Sequence, residues 1–181
     1  MSLNRRLFNK SLLLGSTLAF LPVRYAHAKT YLTIEQAQQL IWGATALTPA
    51  PLELSPVQQK AIEQASKVRV RNAKINAWKT ADNGWFIVDQ VIGKHENIDL
   101  AVGLTAEGKV NGIEIITYRE TYGFEIQNPK WRMQFHGKNH TTPLKLDGNI
   151  INISGATLSC AHVTDGINRL THTWNLVLKA L

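Results

Sequence analysis

Apolar and polar residues recur along the first part of the chain with the spacing of two short helices. Thr33 precedes a run with helical periodicity that ends near Gly43, so a helix is predicted between them. A second helix is predicted from the N-cap Ser55 to about Ser66, because proline follows the serine and a glutamine stands at the third helical position. The stretch 45–54 contains two prolines and is predicted to be a loop.

The middle of the chain has the composition and partial alternation of β-strands. Strands are predicted over 74–79, 85–92, 98–104 and 109–118, with the turn residues 82–84 between the first two. Short polar turns join successive strands, and such connections favour hairpins. The pattern therefore predicts an antiparallel sheet of about four or more strands.

The last third of the chain returns to helical spacing. A short helix is predicted over 130–135 and a polar loop over 137–146. From Thr157 to the C-terminus the apolar residues fall largely on one face, which outweighs the helix-weakening Gly166. The order of elements predicts an α+β domain, in which the sheet packs with N-terminal helices and a C-terminal helix.

Residues 1–28 have the pattern of an export signal. Arg5 and Arg6 stand in a basic head, 12–21 form an uncharged apolar run, and Ala-His-Ala at 26–28 is typical of a cleavage site. The apolar run is about half the roughly 20 residues that a membrane-spanning helix needs. The paired arginines predict the twin-arginine export route and a periplasmic location.

The charge of the chain depends on this assignment. The 181 residues carry a formal net charge of +7, but residues 1–28 hold four basic residues and no acid. The remaining domain, 29–181, has 16 basic and 13 acidic residues, a net charge of +3 that gives little reason to expect nucleic-acid binding. Its densest basic stretch, 67–71, is predicted to be a solvated strand edge or loop. One cysteine, Cys160, excludes an internal disulfide and a multi-cysteine metal cluster.

The segment 152–159 lies where the polar loop meets the C-terminal helix. Gly155 allows close backbone approach, and the first N–H groups of a helix attract anions. Thr157 adds a hydroxyl at this point. The same residues also fit a simple helix cap, with Ser154 or Thr157 bonding to the first turn. Both interpretations follow from the pattern.

Ser154-Gly155-Ala156-Thr157 resembles the Ser/Thr-Gly-Ala-Thr motif of the FMN-binding domain family. That family includes the covalent-flavin subunits of the sodium-translocating NADH:quinone oxidoreductase and of the Rnf complex. The resemblance implies that a flavin transferase joins the FMN phosphate to Thr157 by a phosphoester bond. The segment 120–126 and the short helix after it resemble the family's Glu-Thr-Pro-Gly-Leu-Gly loop. The flavin-site residues implied by both motifs are Ser154, Gly155, Ala156, Thr157, Leu158, Ser159, Glu120, Thr121, Gly123 and Phe124.

The chain departs from the family pattern at three positions. Ile151 stands where the family usually has aspartate, Tyr122 replaces a proline, and Glu125 replaces a glycine. Trp85 and Trp131 are candidates to flank the flavin ring, although most tryptophans are expected in the core.

The resemblance implies a free-standing exported electron carrier that exchanges electrons with a membrane redox protein, which family context suggests is of the ferric-reductase type. No catalytic acid–base or nucleophile set and no metal motif is evident, so a self-contained enzyme is not predicted. The alternatives are non-covalent FMN binding and a non-redox periplasmic binding or assembly module.

Overall fold

Seven antiparallel strands and four α-helices form the part of the chain that the computed structural model describes, residues 29–142 and 144–181. The predicted export signal lies outside the described residues. In chain order the elements are β1 (Lys29–Thr30), α1 (Ile34–Trp42), β2 (Leu47–Pro49), β3 (Leu52–Glu53), α2 (Pro56–Ser66), β4 (Lys74–Thr80), β5 (Trp85–Ile92), β6 (Asn97–Leu104), β7 (Val110–Tyr118), α3 (Pro129–Arg132) and α4 (Thr157–Leu176). Short 3₁₀ turns at Phe124–Gln127 and Met133–Phe135 flank α3. The predicted α+β class is confirmed.

Reciprocal hydrogen bonds fix the starts of the first two helices. The Thr33 hydroxyl accepts from Gln36 N at 3.2 Å, and the Gln36 side chain accepts from Thr33 N at 2.8 Å. Ser55 and Gln58 repeat the arrangement at the same distances. Each pair satisfies two backbone donors that a helix start would otherwise leave open. Both helices begin where the sequence predicts.

The sheet has the strand order β1-β7-β6-β5-β4-β2, and β3 pairs with β4 beside β2. The four long central strands are confirmed. The prediction of an unstructured loop over 45–54 is wrong in part, because β2 and β3 lie there. Pro49 pairs with Trp78 on the outer edge of the sheet. A proline is tolerated at such an edge because no further strand needs its missing N–H.

Helices cover both faces of this sheet. On one face α1 contributes Ala37 to a cluster with Phe86, Ala101 and Ile116. On the other face α2 and α4 pack over the main core. Ile87 belongs to this core although its neighbour Phe86 belongs to the first cluster, because adjacent residues of a strand point to opposite faces of the sheet. The sheet is therefore a layer between helices, and α4 is fixed along one side of it.

Close packing explains the glycine inside α4. A Cβ on Gly166 would stand 2.5 Å from Val91 Cγ1, so a side chain there would push the helix away from β5. The cost of about 1 kcal/mol for glycine in a helix is offset by this close approach. This contact holds α4 against β5, and so it helps to position the N-terminal end of the helix relative to the sheet.

None of the helices in the described ranges is long and apolar enough to cross a bilayer.

Candidate functional site

A cleft of about 510 Å³ opens at the N-terminal end of α4. Three segments meet there: the turn between β5 and β6, the chain that leaves β7, and the loop that enters α4. The residues that line the cleft are Lys94, His95, Glu120, Thr121, Tyr122, Gly155, Ala156, Thr157, Leu158 and Ser159. The two sequence motifs are thus brought together on one surface.

The first turn of α4 lacks a side-chain cap. Ala156 is the N-cap residue, and no side chain accepts a hydrogen bond from the first turn. Within the described residues, the backbone N–H groups of Thr157, Leu158 and Ser159 have no acceptor. The interpretation of Ser154 or Thr157 as the cap is therefore wrong. This end of the helix keeps its partial positive charge and its open donors.

Thr157 is instead engaged by a neighbour in the preceding loop. Asn152 Nδ2 donates a 3.1 Å hydrogen bond to Thr157 Oγ1. The Asn152 carbonyl oxygen Oδ1 is buried and has no partner in the described structure. Thr157 itself is exposed. Its hydroxyl is thus held by one amide while the side chain stays open to the cleft.

Two glycines with positive φ shape the walls. Gly155 has φ 86°, and a Cβ there would meet nothing within 4 Å. Gly123 has φ 88°, and its Cβ would lie 2.6 Å from Tyr118 Oη and 3.0 Å from Ser159 Oγ. Gly155 is needed for its backbone conformation alone. Gly123 is needed also for the contact between the second motif and α4.

Tyr118 and Ser159 join the end of β7 to α4. The Tyr118 hydroxyl lies 2.9 Å from Ser159 Oγ and donates to the carbonyl oxygen of Tyr122. Burial raises the pKa of Tyr118, although its hydrogen bond with Ser159 acts against the increase. The phenol therefore stays protonated, as its donated hydrogen bond requires. This link fixes the loop that carries the second motif against the helix start.

Glu120 holds the turn between β5 and β6 in place. Its Oε1 accepts from His95 N at 2.5 Å and from Glu96 N at 3.0 Å. Desolvation alone would raise the pKa of this carboxyl, but the backbone N–H groups of Glu96, His95 and Lys94 outweigh it and lower the pKa. An ionised carboxylate thus presents Lys94 and His95 at the mouth of the cleft.

A family comparison bears on this cleft. The model of the FMN-binding domain matches residues 93–172. This part of the chain therefore matches the FMN-binding domain family. The matched range includes every residue that lines the cleft. No curated protein matches the chain.

The flavin-site residues implied by the motifs of this FMN-binding domain lie at or beside the cleft. Ser154 and Gly123 do not line it but adjoin residues that do, and Phe124 follows Gly123 outside the lining. Tyr122 is 80% exposed and Leu158 is 47% exposed, so both offer apolar surface to a ligand. Trp85 and Trp131 are buried, and neither lines the cleft. The apolar surface here comes from the motif residues.

Lys94 and His95 are functional candidates that the motifs do not contain. They stand in a hairpin turn about 60 residues before Thr157, and only the folding of the sheet brings the two segments together. A turn rich in polar residues gives no local signal of this role. Tyr122 lines the cleft although the family usually has proline there.

Ile151 occupies the aspartate position of the family in a well-defined loop. Its N–H donates to Gln134 Oε1 at 2.7 Å, and its carbonyl accepts from Trp131 Nε1 at 2.7 Å. The side chain is 72% exposed. The backbone that leads to the motif is therefore anchored on the short helical segment, and the isoleucine side chain points to solvent.

Cys160 lies one turn into α4 and is buried. Burial raises the pKa of its thiol, which keeps the sulfur protonated. The prediction of a small buried cysteine is confirmed. Its position supports packing beneath the cleft.

Proposed function

We propose that this FMN-binding protein is an exported electron carrier in which FMN is esterified through its phosphate to Thr157. The observation that carries the proposal is the exposed Thr157 side chain at an uncapped helix start inside a cleft. The geometry supports this function because the attachment atom and the anion-binding donors occur in the same turn of α4.

The helix start fits a phosphate. Three N–H groups of the first turn have no acceptor within the described residues, and they carry the positive end of the helix dipole. Lys94 and His95 line the same cleft, and Lys94 adds a positive charge to it. A phosphate bonded to Thr157 Oγ1 would satisfy donors that the protein otherwise leaves open. It would also give the buried Asn152 amide a role in positioning the ester oxygen.

The rest of the cleft fits the ring of a flavin. Its volume of about 510 Å³ lies within the usual range of small-molecule pockets. Tyr122 and Leu158 are exposed apolar side chains that would cover part of an isoalloxazine. Without a ligand, this apolar surface faces water.

FMN would supply the redox chemistry, namely the uptake and release of electrons one at a time. The residues of this chain would hold the phosphate, orient the ring and set the charge around it. Glu120 would act indirectly, because its carboxylate fixes the turn that carries Lys94 and His95.

The proposal includes three partners or steps outside the domain. A flavin transferase would form the ester, export by the twin-arginine route would bring the protein to the periplasm, and a membrane redox protein, for instance of the ferric-reductase type, would exchange electrons with it. The basic head and apolar run of residues 1–28 support export. Nucleic acid is not a proposed partner, since the charge of the domain without this segment is only +3.

The attachment is tested by producing the full chain in an exporting host that contains an active flavin transferase. The protein is denatured, and flavin fluorescence is read on the gel band together with the intact mass. We expect fluorescence and a mass increase of one FMN less one water. Thr157→Ala should abolish both. Thr121→Ala is the matched control, because Thr121 is also an exposed threonine of the cleft and should leave both signals intact.

Each other outcome selects a different function. Flavin colour that is lost on denaturation would mean that FMN is bound without a covalent bond. A colourless protein made beside an active transferase would favour a non-redox binding or assembly module. Equal labelling of wild type and Thr157→Ala would mean that the ester is attached to another residue.

Export and the electron partner have tests of their own. We expect the mature chain in the periplasmic fraction, and we expect Arg5→Lys/Arg6→Lys to leave it in the cytoplasm. Cross-linking of the flavinylated protein in intact cells should recover a membrane redox protein. Recovery of soluble proteins alone would contradict that part of the proposal.

A further inference from the structure

A second cleft, of about 290 Å³, is lined in part by the end of β5. The cleft at the start of α4 is named the flavin cleft below, after its proposed ligand. The second cleft is formed by the loop 67–71, the end of β5, and the α4 face that carries His162, Asp165 and Arg169. None of its residues lines the flavin cleft. The FMN-binding assignment therefore gives it no role.

The lining of this basic cleft carries an excess of positive charge. Lys67, Arg69 and Arg71 enter it from the loop, and Arg169 enters it from α4. Within the described residues, the side chains of the three loop cations make no hydrogen bond or ion pair. Asp165 is the single carboxylate among the lining residues. Like charges placed together without partners cost energy unless an anion joins them.

Arg169 gives the cleft a buried polar floor. Its side chain is only 10% exposed, and one guanidinium nitrogen bonds to Asp89 at 2.5 Å. This is the only hydrogen bond of that side chain within the described structure, so most of its N–H donors remain free for another acceptor. His162 Nδ1 is also buried, with no partner among the described residues. Two side chains of the floor thus have polar atoms that no protein group uses.

The loop that carries the cations is held in place rather than loosely exposed. Glu63 Oε1 accepts from Val70 N at 2.8 Å, which turns the loop back onto α2. Asn168 Nδ2 donates to the Ser66 carbonyl at 2.9 Å, which ties the end of α2 to α4. The backbone that carries the cations is therefore fixed, and a ligand would need to order only their side chains.

The one acid in the cleft weakens rather than cancels its positive charge. Burial raises the pKa of Asp165, and His162 partly opposes this effect. Lys67, Arg69 and Arg71 line the same cleft from the loop, and Arg169 follows Asp165 by one helical turn. Asp89 is already paired with Arg169. The balance still favours a negative ligand.

We propose that this basic cleft is a binding site for a small, multiply charged oxyanion. Arg69 and Arg71 would bind it from the loop, and Arg169 and His162 would bind it from the floor. The cleft volume of about 290 Å³ suits a small ligand such as a diphosphate or a compact polycarboxylate. The site is independent of the flavin ester, since it shares no lining residue with the flavin cleft.

The test is calorimetric titration of the full chain with pyrophosphate in one arm and citrate in the other, at physiological salt. We expect one-to-one binding of at least one of them with a Kd below about 1 mM. Arg69→Gln/Arg71→Gln should weaken it at least about tenfold, since hydrogen bonds to charged groups are lost. Both arginines are exposed, so this variant should keep the thermal stability of the wild type. The stronger arm identifies the ligand as phosphoryl or carboxylate.

Two controls separate this site from general attraction of anions. Lys109→Gln/Lys145→Gln removes the same charge from exposed positions outside the cleft and should leave the Kd within about twofold. Lys94→Gln alters the flavin cleft and should likewise leave it unchanged. Absence of binding in both arms would overturn the proposal. So would equal weakening by either control, which would mean non-specific charge or an anion at the start of α4.

Discussion

The side-chain amide of Asn152 holds the hydroxyl of Thr157 with a 3.1 Å hydrogen bond at the mouth of the flavin cleft. Because this bond fixes the direction of the proposed attachment atom, Asn152→Ala should slow flavin attachment by roughly three- to tenfold, the value of one ordinary hydrogen bond. The measurement is the rate at which flavin fluorescence appears in the denatured protein after the transferase is added.

Asn175→Ala is a suitable comparison, since Asn175 bonds to Lys179 far from the cleft. It should flavinylate at the wild-type rate. If Asn152→Ala also reaches the wild-type rate while its folding is intact, the hydroxyl does not depend on this amide.

Gly123 and Gly155 should respond differently to alanine. Both have positive φ, which costs a side-chain residue about 1–2 kcal/mol. Gly155→Ala should lower the free energy of unfolding by that amount alone, because its Cβ meets nothing within 4 Å. Gly123→Ala should lose about 1–3 kcal/mol more, because its Cβ would press on Tyr118 and Ser159. Urea unfolding measures both, and an equal loss would mean that the contact at Gly123 relaxes freely.

Glu120 should make the free energy of unfolding depend on pH in the acidic range. Its pKa is lowered in the folded protein, so its contribution is present above the ordinary carboxyl pKa near 4.3 and is lost as the pH falls through the folded value. The destabilisation caused by Glu120→Gln should therefore be large at neutral pH and shrink below about pH 4. Denaturant midpoints across this range provide the measurement.

Asp165→Asn provides a comparison of opposite sign. Burial raises the pKa of Asp165, so its charge opposes folding at neutral pH. Its replacement should stabilise the protein at neutral pH, and the gain should fade on acidification. Parallel pH profiles for the two variants would show that at least one of these carboxyls does not titrate as its surroundings imply.

The starts of α1 and α2 could be predicted because their signals are local. Thr33 with Gln36, and Ser55 with Gln58, contain within four residues all the groups that make the cap. The short strands at 47–53 could not be predicted in the same way. They exist because β4 offers an open edge, and the prolines beside them indicate a loop when only neighbouring residues are considered.

The residues of the candidate site differ in the same way. Thr157 and Glu120 can be predicted because each belongs to a contiguous motif. Lys94 and His95 enter the cleft only through the β5–β6 hairpin, whose turn carries no ligand-binding pattern. The helix cap was ambiguous from sequence. In the fold, the Thr157 hydroxyl bonds to Asn152, and Ala156 becomes the N-cap residue without any side-chain acceptor.

Replacement of only one partner of the Asp89–Arg169 ion pair should strongly lower the free energy of unfolding. Both side chains are at least four-fifths buried, and their atoms lie 2.5 Å apart. Asp89→Ala leaves a buried guanidinium without its counter-ion and should cost about 3–5 kcal/mol in urea unfolding. Asp89→Leu/Arg169→Met removes both charges and should cost clearly less than the sum of the single changes, since the two residues are coupled. Additive losses would mean that Arg169 turns to solvent in the basic cleft once its partner is gone.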